Sequence, residues 1–180
     1  MVRLTEKQPT NYTSLKVLLG TEYFYNLIFN SEVKKVAKES LKIWTVFLFG
    51  CFAYGLAELI ARGHTHISMG LLGGVCMIFI SILNDRRGLG FGLLPACIIS
   101  ALFITVMEYA TGEILNIWLR LGVWDYSEMP MNFRGQICLP FSLLWIFMSG
   151  LGFALDNFIR INIFGDIGIP LFNRKIGSKA

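Results

Sequence analysis

Four apolar stretches, each about the length of a bilayer crossing, alternate with short polar connections along the 180 residues of this chain. The first runs from about Trp44 to Ala61, the second from about Ile67 to Leu83, the third over 92–119 and the fourth over 136–157. Runs of this length exceed what a soluble core of this size needs. They predict an all-α integral membrane protein: a bundle of four transmembrane helices with an N-terminal interfacial helical region and an ordered outer loop. The third stretch is longer than a hydrocarbon core of roughly 30 Å requires, so it is expected to tilt or to kink near Pro95, with Ala96 to Trp118 as its regular part. Before the bundle, residues 1–42 form a mixed region in which the apolar segment 17–29 is too short to cross and is expected to lie at the membrane surface. After it, residues 161–180 form a glycine-containing tail with an end expected to be mobile.

Composition agrees with this pattern. Charged residues make up 16% of the chain and hydrophobic ones 54%, where a typical soluble domain carries about 25% charge. The basic residues are unevenly distributed. Thirteen of the sixteen Lys and Arg fall before the first span, in the turn after the second, or from Arg160 onward, and Arg62, Arg120 and Arg134 fall on the other side. By the positive-inside rule both termini face the cytoplasm, most simply at the cell membrane. Acidic residues among the N-terminal lysines argue against a cleavable signal peptide, and none is expected. Cys51, Cys76, Cys97 and Cys138 are widely spaced and read as small apolar residues inside helices. The net charge of +4 is an orientation signal, and no nucleic-acid partner is expected.

Against this apolar background the carboxylates stand out, because an ionisable group at membrane depth is costly and by default marks function. Glu58 shares a helical stripe with Cys51, Tyr54, Gly55 and Arg62. Its plainest role is an ion pair with Arg62 one turn on. Glu108 shares a face with Thr105, Thr111 and Gly112, whereas Glu113 is rotated about 140° away, so the two cannot serve one site on a straight helix. The loop that follows holds Trp124, Asp125, Tyr126 and Ser127, and its apolar content predicts an ordered cover over the helix ends. Orientation places Glu58, Glu108 and this loop on one side of the bilayer, which makes them one candidate site. His64 and His66 read as a solvated turn; two histidines are too few for a metal, and no metal or other cofactor is expected. Small residues at Gly70, Gly74 and Ser81 predict a tight helix contact.

The chain contains no phosphate-binding loop, no HExxH and no nucleophile elbow, so it is no ATPase, and a nucleophilic hydrolase is poorly supported. The run Glu108-Tyr-Ala-Thr-Gly-Glu-Ile-Leu-Asn116, the Trp124-Asp-Tyr-Ser127 loop, the segment Pro130 to Leu139 that includes Asn132, and Trp145 in the next helix together resemble the family named "Putative ABC-transporter type IV", or CmpB-like. A related pattern occurs in the animal proteins called transmembrane protein 229. The likeness is specific over about 105–145, looser from Tyr54 to Leu83, and leaves 1–42 unaccounted for. It implies a permease-like transporter component, with Glu58, Glu108, Thr111, Trp124, Asp125, Tyr126, Ser127 and Asn132 as substrate-binding candidates. A separate ATPase, other subunits or further copies of the chain would then be its partners, alongside the lipid bilayer. Two alternatives stay open: a membrane-embedded protein or enzyme acting on a lipid or small amphiphile, and a structural subunit of a membrane complex.

Overall fold

The computed structural model describes residues 12–169 and Leu171, with side chains from Asn30 onward apart from Ala61 and Gly88. Four α-helices account for most of it: α1 (Tyr12–Arg62), α2 (Ile67–Gly88), α3 (Leu93–Gly112) and α4 (Leu139–Asn162). Among the described residues, Asn30–Ile60, Ile67–Arg87, Leu93–Trp118 and Leu139–Asn162 are long and apolar enough to cross a membrane. The chain divides into two compact units inside α1, one ending at Leu41 and the other starting at Lys42. In the first, the described residues 12–41 are helical throughout, so the segment 17–29 belongs to α1 and is not a separate element. The second unit holds the bundle.

Glycine and proline set the helix boundaries in this unit. Gly63, at φ +72°, stops α1 in a left-handed turn and donates its N–H to the Leu59 carbonyl at 2.9 Å. The following turn is ordered: the His66 side chain caps α2 by accepting from the Ser68 N–H at 3.3 Å. Pro95 kinks nothing, because α3 begins at Leu93 and a proline in a first turn forgoes no helical hydrogen bond. The regular part of the third helix ends earlier than its apolar pattern predicts. After Gly112 the backbone widens into a π turn, Glu113–Trp118, and the Leu119 N–H reaches back to the Ile114 carbonyl. A two-residue hairpin, β1 (Asn132–Phe133) and β2 (Ile137–Cys138), pairs Asn132 with Cys138 and takes up residues that apolar patterning assigns to the fourth helix. That helix starts only at Leu139.

The helices approach closely where side chains are missing. A Cβ on Gly73 would overlap Tyr54, and one on Gly50 would overlap Met77, so α1 and α2 pack backbone to backbone. The tight contact therefore centres on Gly50, Gly73 and Gly74, whereas Gly70 has only the Cys51 carbonyl near it, at 3.6 Å. Phe79 of α2 stacks on Phe103 of α3 with ring centres 3.9 Å apart. One apolar cluster gathers Met77, Ile80, Cys97, Phe153 and Ile159; another gathers Met69, Leu72, Cys76, Ile104 and Trp124. Large apolar side chains also face outward, among them Phe52, Ile60, Leu102 and Phe147. In water they would be a liability, and against hydrocarbon they are in their proper solvent.

Candidate functional site

Helical spacing on α1 lines up Tyr54, Glu58 and Arg62 at intervals of four. Glu58 is 7% exposed and is held from two sides: Arg62 forms an ion pair with Oε1, and the Thr65 hydroxyl donates to Oε2 at 2.6 Å. Glu108, on α3, is 1% exposed and its surroundings differ. The Tyr126 hydroxyl donates to its Oε1 at 3.1 Å, and the Trp145 indole N–H donates to Oε2 at 2.9 Å. Among the described residues no Lys or Arg forms an ion pair with Glu108, whereas Arg62 serves Glu58 and Arg134 serves Glu113 at 3.0 Å. The two glutamates of the third helix are thus separated, Glu113 toward the loop and Glu108 toward the bundle interior.

The donors to Glu108 are also walls. Trp145 stacks on Tyr54 with ring centres 5.6 Å apart, and Tyr126 stacks on Phe141 at 4.8 Å. These four rings, with Glu58 and Arg62, bound a cavity of about 200 Å³. Tyr54, Ala57, Trp145 and Met148 also line a second, almost wholly apolar groove of about 300 Å³. That groove continues past Gly50 and Ala53 of α1 and Leu151 and Leu155 of α4.

Among the described residues, Tyr126 is the only one of the loop that lines this cavity. Trp124 is buried, but its indole N–H donates to the Gln136 carbonyl at 2.9 Å, which anchors the loop to the start of α4. Asp125 and Ser127 are exposed and bonded to each other, the Ser127 N–H donating to Asp125 Oδ1 at 2.8 Å. Those bonds hold the Asp125 carboxyl below the usual carboxylate range, the Ser127 backbone acting more strongly than its hydroxyl. Burial raises the Tyr126 hydroxyl far above its ordinary range, and the neighbouring Glu108 charge adds to the effect, so it remains a proton donor. Asn132 is exposed and ties the loop internally: its amide donates to the Ser127 and Met129 carbonyls, both at 2.9 Å, and its Oδ1 accepts from the Gly135 N–H at 3.2 Å. Thr111 is half-buried and does not line the cavity. Of the sequence candidates, then, Glu58, Glu108 and Tyr126 converge, while Trp124, Asp125, Ser127 and Asn132 build the loop that delivers Tyr126.

The seam between α3 and the loop explains how Tyr126 is held. The π turn brings Asn116 to donate to Gln136 Oε1 at 2.8 Å and to accept from the Val123 N–H at 2.7 Å. Gly112 leaves the space: a Cβ there would lie 2.5 Å from Gln136 Oε1 and 3.1 Å from a Trp124 ring carbon. Arg120, Met131 and Arg134 adopt positive φ, a cost of roughly 1–2 kcal/mol per residue that a loop without such ties would not sustain. Met131 and Phe133 remain exposed, so only part of the loop's apolar surface is packed down.

Sequence reasoning missed a second buried polar cluster at the opposite end of α4. Asp156 is fully buried; its Oδ2 accepts from Arg160 Nε at 2.5 Å and from Asn84 Nδ2 at 2.8 Å. Arg160 also reaches Asp85 at 2.6 Å and the Ser81 hydroxyl at 3.0 Å, and Arg87 donates to Asn84 Oδ1 at 2.8 Å. The chain after α4 closes over this cluster. Asn157 exchanges two bonds with the Ile169 backbone, Arg87 donates to the Leu171 carbonyl, and Asp166 pairs with Lys42 at 2.8 Å. The signal was present in the four-residue spacing of Asp156 and Arg160 and in the Asn84-Asp85-Arg86-Arg87 turn. The tail from Phe172 lies outside the described residues. Among the described residues no three His, Cys, Asp or Glu side chains are grouped as a metal would need.

Residues 32–165 match the family model described as "Putative ABC-transporter type IV". The chain belongs to this CmpB-like family. The match takes in nearly all of the four crossings, Glu58 and Glu108, and the whole loop between α3 and α4. No solved structure matches the chain. Family and architecture together make this CmpB-like chain an integral membrane protein of a family described as an ABC-transporter type.

Proposed function

We propose that this chain is the permease-like component of a membrane transporter, and that the cavity among Glu58, Tyr54, Tyr126 and Trp145 is where its substrate binds. One observation carries the reading: Glu108 is buried with both oxygens held by neutral donors that themselves wall the cavity. A carboxylate placed only for stability in a bundle would be matched by a cation, as Glu58 and Glu113 are, or replaced by an apolar residue at little loss. Both termini lie in the cytoplasm at the cell membrane in this reading, with the cavity toward the outer leaflet, in accord with the distribution of Lys and Arg. The sequence contains no phosphate-binding loop, so in this reading a separate ATPase drives transport.

The test is purification of the tagged full chain from its native membranes in mild detergent, followed by reconstitution with whatever co-purifies. A P-loop ATPase should come with it, and nucleotide-dependent flux across proteoliposomes should disappear in Glu108→Gln while the ATPase stays bound. Gln is the right probe because its amide can accept from Trp145 and donate to the Tyr126 oxygen, keeping the geometry without the charge. A chain that purifies without an ATPase, or flux untouched by Glu108→Gln, would overturn the proposal.

A further inference from the structure

The walls of the cavity say more than that something binds. We infer that the occupant is a single-chain amphiphile with an organic-cation head of the alkylammonium type, its head among the four rings and its tail in the adjoining groove. This rests on the cavity being the substrate site and deepens that reading.

The argument begins with the rings. Tyr54 stacked on Trp145 and Tyr126 stacked on Phe141 give the cavity aromatic walls, and ring faces attract cations through their quadrupoles, best where water is excluded. Two of the four rings, Tyr126 and Trp145, each donate a hydrogen bond to the same carboxyl group, Glu108. When Glu108 is ionised, donation toward it pushes electron density back into both rings, and a cation against their faces would itself favour that ionised form. Glu58 adds a carboxylate in the wall itself. Among the described residues Arg62 is the one cation lining the cavity, and it is engaged by Glu58. Glu58 and Arg62 balance each other, so an ionised Glu108 behind the rings has no counter-charge of its own, which a cationic head would supply and an anionic head would not.

The tail follows from continuity. Tyr54, Ala57, Trp145 and Met148 line both spaces, so a molecule with its head among the rings has a direct path into the apolar groove. At about 300 Å³, that groove is at the small end of the range of small-molecule pockets, which suits one short chain.

The experiment uses the full chain in phosphatidylglycerol nanodiscs, whose lipid carries no ammonium head, titrated with octyltrimethylammonium, octyl sulfate and 1-octanol. Tryptophan fluorescence is followed, and partitioning into empty discs is subtracted. Octyltrimethylammonium should bind saturably and at least about tenfold more tightly than octanol, with octyl sulfate weaker still. Glu108→Gln and Glu58→Gln should each weaken the cation by about tenfold and leave octanol unchanged, which guards against a variant that has merely unfolded. Octyl sulfate binding best would overturn the assignment of the head and make Arg62 the recognising group. Equal affinity for all three would overturn the cationic class while leaving the cavity as a binding site. Displacement of the bound cation by phosphatidylcholine with equal potency would replace the single-chain occupant with a bilayer lipid. Saturable binding of none of the probes would remove the cavity as a site altogether.

Discussion

Replacing Gly112 by Ala adds one methyl group at the seam that holds Tyr126 against Glu108. The new Cβ would lie 2.5 Å from Gln136 Oε1, 3.0 Å from Gln136 Cβ and 3.1 Å from Trp124 Cζ2, all inside normal contact. Gln136 has little freedom to yield, since it is buried, accepts from Asn116 at 2.8 Å and donates to the Arg134 carbonyl at 3.0 Å. Trp124 is fixed by its bond to the Gln136 carbonyl. Overpacking of this kind costs about 1–3 kcal/mol, and loss of one Gln136 bond adds about 1 kcal/mol. Against that, Ala gains up to about 1 kcal/mol over Gly in helix propensity. The net expectation is a loss of about 2 kcal/mol, a fall in unfolding midpoint of roughly 4–8 °C for a unit of this size. Gly55 supplies the control, because a Cβ there meets nothing within 4 Å, and Gly55→Ala should be neutral or slightly stabilising. Both variants are compared in nanodiscs by thermal unfolding and by hydrogen exchange at Trp124 to Ser127, which should quicken in Gly112→Ala alone. A Gly112→Ala protein as stable and as protected as Gly55→Ala would refute the account of how the loop is seated.

Glu113→Gln should lower stability by no more than about 1 kcal/mol and leave binding intact, because its partner Arg134 is largely exposed, whereas Glu108→Gln should weaken binding of the cationic probe about tenfold with the fold retained; paired melting and binding assays would show equal effects if this separation is wrong. Asp156→Leu alone should cost about 3–5 kcal/mol by stripping Arg160 of its buried partner, and adding Arg160→Met should recover much of the loss; equal melting of single and double variants would show that the pair is not coupled. With native cysteines replaced, an impermeant thiol reagent on intact cells should label Ser127→Cys and not Ser178→Cys, and the reverse pattern would invert the assigned topology.

The membrane architecture was legible because hydrophobic run length is set by bilayer thickness, and composition, spacing and the glycine punctuation agree on it. Glu108 and Glu58 were legible for the same reason, as charges in the wrong solvent. What patterning could not supply was direction. Asp125 and Ser127 look chemically potent beside Tyr126, yet the Asx turn between them points the pair outward and leaves Tyr126 to reach the carboxylate. Asn132 similarly serves the loop backbone. The π turn after Gly112 was hidden because nothing in Glu-Ile-Leu-Asn-Ile-Trp departs from an ordinary helical pattern; Asn116, Gln136 and Val123 become partners only through tertiary contact. The Asp156 cluster was hidden because its members lie some seventy residues apart, Asn84 with Asp156 and Asp85 with Arg160, and each reads locally as a helix-end charge.

The central claim is that the space bounded by Glu58, Tyr54, Tyr126 and Trp145, with Glu108 behind it, holds a ligand in the bilayer. An experimental structure of the full chain purified from its native membranes into nanodiscs tests it most directly. The account predicts non-protein density within that cavity, against the Tyr54–Trp145 and Tyr126–Phe141 ring pairs, and its loss in Glu108→Gln with the bundle unchanged. A cavity filled by the chain's own side chains, or density equally present in Glu108→Gln, would contradict it.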